Sequence, residues 1–252
     1  MRLHVFEWGE AKAAPMVCVH GATGHGQRFR QLAEERWGKR FRVMAVDLRG
    51  HGRSGWEPPW SLGVYISDLV ETADALGLVR ADWVGHSLGG RLIVELAVRY
   101  PERVRRAVLL DPAIQLPVEL AESAAVGEER DPVWESASAC FTSRDDTAGA
   151  DKDRALADLE LQLELLPDGH VRRRTSQEAV QAMYRELVSE PPGADLLSMP
   201  LLLLYAPEAG VTSEKQARAY GRDGVVAVPG GHMVMWSAFD QTADAVEQFL
   251  AS

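Results

Sequence analysis

Short apolar, strand-like runs alternate with helical patterns through the first half of the chain, and that rhythm restricts the fold more than any other property. Residues 15–19 (Pro-Met-Val-Cys-Val) and 41–46 (Phe-Arg-Val-Met-Ala-Val) read as buried strands, as do 81–84 and 106–110. Helical stretches are expected between them, over 27–37, 61–78 and 91–100. The second has Ser61 as its N-cap and Val64, Leu69, Ala73 and Leu76 on one face, and the third stops at Pro101. Strands separated by helices of this length run parallel, with the helices covering both faces of the sheet, so the expected class is α/β.

The rhythm breaks after Pro112. Over residues 113–198 no strand is expected, only helical stretches such as 153–166 and 177–188. It resumes with strands over 201–205 and 224–228 and a last helix over 240–250. Residues 1–112 and 199–252 are therefore expected to build one core, with 113–198 a helical insertion between two of its strands. Within the insertion, Asp145-Asp146 and Arg172-Arg173-Arg174 are like-charged clusters, and such clusters read as solvated faces.

Composition removes several function classes. The 252 residues carry 27 Lys and Arg against 37 Asp and Glu, a net charge of −10, which argues against nucleic acid and polyanionic partners. Charges interrupt each apolar run before about 18 residues, so no membrane span is expected, and the first residues do not read as a signal peptide. Cys18 and Cys140 lie far apart, and Cys18 sits in a buried strand, so reduced thiols and a cytoplasmic setting are expected. No Cys/His spacing suits a metal, and no cofactor is implied. A small-molecule partner is expected; monomer and homodimer are both compatible with this sequence.

The chemistry concentrates at Gly85-His86-Ser87-Leu88-Gly89, a G-x-S-x-G pattern with a strand before it and a helix after it. A sharp strand-to-helix turn lifts the Ser87 hydroxyl above the sheet, where flanking glycines allow neighbouring backbone to approach. It also places the Leu88 N–H at a helix N-terminus, facing developing negative charge. A serine needs a base to take its proton. Of seven histidines, His232 is the strongest candidate, in a loop after the last strand and before the last helix. His86 is a candidate pocket residue.

With these motifs in order, the chain resembles an α/β-hydrolase-fold serine hydrolase of the esterase and lipase kind. His20-Gly21-Ala22 resembles the family's oxyanion loop, residues 47–54 (Asp-Leu-Arg-Gly-His-Gly-Arg-Ser) its D-x-R-G-x-G-x-S turn, and Gly231-His232 its G-H motif. The resemblance implies a sheet of about seven to eight strands. It further implies an oxyanion hole from the Ala22 and Leu88 N–H groups and a helical cap formed by 113–198. His20 and Asp47 brace loops in such a fold. A serine at position 87 sets the chain apart from relatives whose aspartate nucleophile opens epoxides or removes halide.

The acid partner of His232 has two candidates. Counting past the 201–205 strand puts Ala209 where the family usually carries its aspartate, with Glu208 one place early. Asp111, at the end of the 106–110 strand, is the other and the favoured one, because a short tether on a strand suits preorganisation. Either would accept the Nδ1–H of His232 and stabilise its imidazolium.

The reading that follows is a cofactor-free hydrolase of an ester, lactone or thioester of a small, partly apolar molecule, working through an acyl-enzyme. Trp60, Tyr65, Trp134, Phe141 and Tyr184 are candidates for the pocket wall. Carbon–carbon bond hydrolysis and perhydrolysis use the same groups, and a low-turnover binding or receptor protein is the alternative from another class.

Overall fold

The computed structural model describes residues 1–128 and 132–251. Its first half sets β1 (His4–Trp8), β2 (Ala14–Val19), β3 (Phe41–Asp47), β4 (Ala81–His86) and β5 (Val104–Leu110) around α1 (Arg30–Glu35), α2 (Leu62–Ala75) and α3 (Leu88–Arg99). The insertion follows, with α4 (Val118–Glu128), β6 (Val133–Trp134), α5 (Ala137–Thr142), α6 (Lys152–Gln162), β7 (Leu163–Leu165), β8 (Val171–Arg173) and α7 (Gln177–Glu186). The chain returns to the core through β9 (Leu201–Tyr205), α8 (Glu214–Tyr220), β10 (Val225–Ala227), α9 (Val234–Ser237) and α10 (Phe239–Ala251).

The main sheet has seven strands in the order β1-β3-β2-β4-β5-β9-β10, all parallel except β1. Strand β1 is absent from the sequence reading. It is an edge strand with only one partner, and its residues are half-buried, so the apolar run that marks the central strands is missing. The period-two alternation of the buried strands splits the core into two layers. Val17, Val19, Met44, Val46 and Trp83 face α2 and α3, while Met16, Cys18, Val43, Ala45 and Val84 face Phe29, Trp37 and α10.

The insertion between β5 and β9 is mostly helical, but the expectation of no strand is corrected. Strands β6, β8 and β7 form a small antiparallel sheet, and the helix expected over 153–166 ends at Gln162. The reason is local: Pro167-Asp168-Gly169, with Gly169 at φ +89°, turns the chain so that Leu163 pairs with Arg173. Backbone bonds tie the insertion to the core, including Ser176 N–H to Gly50 C=O at 2.7 Å and Gly231 N–H to Ala148 C=O at 2.7 Å. Cys18 and Cys140 are both buried free thiols. Among the described residues, no helix is long and apolar enough to cross a membrane.

Candidate active site

The carboxyl ends of β4, β5 and β9 lie side by side, and the candidate residues Ser87 and Asp111 sit there. Ser87 occupies the single residue between β4 and α3, at φ +54° and ψ −119°, a conformation costly for a residue with a side chain. Four backbone bonds hold it. Its N–H donates to Leu110 C=O at 3.1 Å, and its C=O accepts from Gly90 at 3.0 Å, Ala113 at 3.1 Å and Arg91 at 3.4 Å. The flanking glycines are required by contact: a Cβ on Gly89 would lie 2.1 Å from the Val19 carbonyl oxygen, and one on Gly85 would lie 2.5 Å from Gly89.

Asp111 follows β5 and is likewise at positive φ, +39°. Its N–H bonds Leu204 C=O at 2.7 Å, which turns the carboxylate toward the neighbouring strand end. That carboxylate is fully buried, with Oδ2 2.6 Å from His232 Nδ1 and Oδ1 accepting from Ala206 N–H at 3.3 Å. Glu208 lies exposed in the 207–209 turn, and the imidazole faces Asp111. Topology gives the placement: β5 stands between β4 and β9, so Asp111 at its end is one strand from Ser87.

Three further histidines brace the site. His86 donates from Nε2 to the His232 carbonyl at 3.0 Å, with the two rings 4.7 Å apart. Burial, then the neighbouring His232, push its pKa well below the ordinary histidine value, so it is neutral. With the proton on Nε2, its Nδ1 is a buried acceptor without a partner, near Gly21 and Ser87. His20 is also held neutral, chiefly by burial. Its Nδ1–H donates to Gly21 C=O at 2.7 Å and its Nε2 accepts from Leu48 N–H at 3.0 Å, which fixes the loop beside the serine. Asp47 accepts from the Gly26 and Arg53 N–H groups at 2.7 and 2.9 Å, a loop brace as expected of it. His51 also holds this loop, its Nε2 2.7 Å from the Ala22 carbonyl.

Ser87, His232 and Ala22 open on one cavity of about 320 Å³. Leu88 lies directly behind the serine, the first residue of α3, where a helix supplies no internal acceptor for its N–H. The rest of the wall differs from the expected aromatic pocket. Tyr184 and His86 line it, but the other four aromatics do not. Tyr65 is fully buried with its hydroxyl on Arg49 C=O at 2.9 Å, and Trp60 and Phe141 pack against the two core layers. Trp134 bonds Ser143 Oγ at 2.9 Å and stacks under Arg173, whose guanidinium is 5.7 Å from the ring. Aromatic identity marks burial, and burial alone does not say which side of a wall a ring faces.

In place of aromatics the wall carries Arg28, Arg144, Asp145, Asp146 and Arg173, together with Met233. Arg144 binds Asp146 through two bonds of 2.8 and 2.5 Å. Arg28 lies buried with Nε 3.0 Å from Asp158 Oδ2, and Asp158 also accepts from His25 Nε2 at 2.8 Å. Burial raises the Asp158 carboxyl, but Arg28 and His25 together outweigh it and hold the pKa below the ordinary aspartate value. Arg173 and Asp146 belong to the clusters expected to be solvated faces, and the insertion instead turns both inward. Their only signal in the sequence was charge, which carries no direction. Among the described residues, no group of side chains is arranged to hold a metal ion.

Comparison with known proteins agrees with this architecture. A family model described as alpha/beta hydrolase fold matches residues 14–188. Lipase LipV of Mycobacterium tuberculosis is 32% identical over 190 residues, 75% of this chain and 72% of its own length. Esterase YbfF of Escherichia coli is 32% identical over 100 residues, 40% of this chain and 39% of its own. The crystal structure of E-2-(acetamidomethylene)succinate hydrolase superimposes with a TM-score of 0.85 at 25% identity, covering 99% of this chain and 95% of that one.

Proposed function

The chain belongs to the α/β-hydrolase-fold family of hydrolases, and from that premise we propose that it is a serine hydrolase cleaving a carboxylic ester, lactone or thioester through an acyl-enzyme. The observation that carries the reading is the 2.6 Å contact between Asp111 Oδ2 and His232 Nδ1, at the edge of a cavity that also holds Ser87 on its constrained turn.

Ser87 Oγ attacks the substrate carbonyl carbon while His232 Nε2 takes the hydroxyl proton. Asp111 accepts the Nδ1–H, which fixes the tautomer and stabilises the imidazolium without itself taking a proton. The N–H groups of Ala22 and Leu88 receive the oxyanion. Collapse of the tetrahedral intermediate breaks the bond to the leaving oxygen or sulfur, which takes the proton from His232. Water then repeats the sequence on the acyl-enzyme and releases the acid. Residues 113–198 act as the cap that supplies the far wall.

Labelling with a fluorophosphonate probe and turnover of p-nitrophenyl acetate test the reading. Wild-type protein is expected to be labelled and to release p-nitrophenol, and Ser87→Ala to lose both, with kcat down about four to six orders of magnitude. Absence of labelling would overturn the nucleophile assignment. Labelling without turnover of any ester, lactone or thioester would favour a binding protein.

A further inference from the structure

The mixture of charge around the serine is unlike a site for a neutral acyl chain. Three guanidiniums, of Arg28, Arg144 and Arg173, border the 320 Å³ cavity that holds Ser87 and His232. Arg28 and Arg144 share one ring, at 5.2 and 5.3 Å from the centre of Trp236, four residues beyond His232. Two of the three guanidiniums are thus packed on the same short segment as the catalytic imidazole, and Arg173 stands on Trp134 instead. Burial lowers the pKa of Arg28, Asp158 opposes this, and Arg144 and Arg173 lower it further, so Arg28 feels both other guanidiniums across this space. Their acids offset this in part. Asp158 lies behind Arg28, Asp146 takes two of the five N–H donors of Arg144, and Asp145 is exposed and screened by water.

We propose that this cluster binds a carboxylate carried by the substrate, so that the preferred ester or lactone derives from a dicarboxylic acid rather than a simple fatty acid. The proposal rests on the serine-hydrolase reading above. A guanidinium presents parallel N–H donors that match the two oxygens of a carboxylate, and enclosed charge-assisted bonds of this kind are stronger than neutral ones. A singly charged group suits the site better than a phosphate dianion, because Asp146 borders the same cavity and already offsets Arg144, which leaves less positive charge for a second negative one. The overall charge of −10 is no objection, since the field a substrate meets is set by the nearest groups.

The test compares kcat/KM for monomethyl glutarate and methyl pentanoate, esters alike in chain length that differ by one carboxylate. The glutarate ester is expected to lead by about tenfold or more. The lead should shrink as salt is raised and should collapse toward parity in Arg173→Gln. Equal turnover of the two, or a lead for methyl pentanoate, overturns the carboxylate site and leaves the hydrolase reading intact. If neither ester reacts and the fluorophosphonate probe fails to label Ser87, the hydrolase reading fails separately. Calorimetric titration of Ser87→Ala with monomethyl glutarate then decides the site without turnover. Salt-sensitive binding weakened by adding Arg173→Gln upholds it, and absence of binding overturns it.

Discussion

The two halves of the cavity are built by different means. On the sheet side, Ser87 and Asp111 are set by backbone: each has positive φ, and each is bonded through its main chain to the next strand end. On the insertion side, Arg144, Asp146 and Arg173 are set by side-chain ion pairs and by strands of two or three residues. A backbone-set group keeps its place because moving it would break sheet hydrogen bonds, whereas a side-chain-set group moves with its partner. The sheet half therefore suits the reaction, which needs fixed distances, and the insertion half suits substrate choice.

The largest effect tests the sheet half. Asp111→Asn keeps the size of the side chain but presents the wrong tautomer requirement to His232, and kcat for p-nitrophenyl acetate should fall by about four orders of magnitude. The far-UV circular dichroism should be unchanged. Glu208→Gln, on an exposed turn, should alter kcat by about twofold at most. A large loss in Glu208→Gln with near-normal turnover in Asp111→Asn would reverse the assignment of the acid and break the comparison.

The same contrast governs what the sequence made legible. The elbow, Asp111 at a strand end and the His232 loop are local features, read from a strand signal and its neighbouring residues. The small sheet of the insertion was not legible, because two- and three-residue strands are too short to show a period. Strand β1 was missed because half-buried edge residues show no apolar run. The convergence of Arg28, Arg144 and Arg173 is tertiary, joining segments more than a hundred residues apart at the extremes. Choosing between Asp111 and Glu208 also needed the strand order, since both preserve the same order along the chain.

The next effect tests the seam between the halves. Asp158 on α6 faces buried Arg28, and truncating one member of a buried pair leaves the other charge uncompensated. Asp158→Ala should lower unfolding free energy by about 3–5 kcal/mol, read from denaturant or thermal melts. Acid should reproduce part of this. The folded-state pKa of Asp158 is depressed, so its contribution is fully present above the ordinary aspartate value of about 3.9 and is lost as pH falls through the lower folded value. The stability gap between wild type and Asp158→Asn should hold steady at neutral pH and narrow below about pH 4. A gap independent of pH down to acid unfolding would show that the pair is not held as a carboxylate and guanidinium.

The smallest effect comes from a second link across the same seam. Arg154, also on α6, reaches Glu35 through bonds of 2.8 and 2.9 Å, and its guanidinium lies 3.6 Å from the centre of the Phe239 ring on α10. By geometry this link is better formed than Arg28 with Asp158, where the 3.0 Å contact is too misaligned for a hydrogen bond. It differs in exposure: the Arg154 and Glu35 side chains are 26% and 48% accessible, against 2% and 4% for the buried pair. Water screens the outer pair and solvates whatever remains when one partner is removed, so Arg154→Ala should cost about 1 kcal/mol or less. The buried pair is costly to break because no water replaces the missing carboxylate. If Arg154→Ala proves as destabilising as Asp158→Ala in the same melts, burial is not what ranks the two links, and the packing of Arg154 on Phe239 is what fastens the insertion to the core.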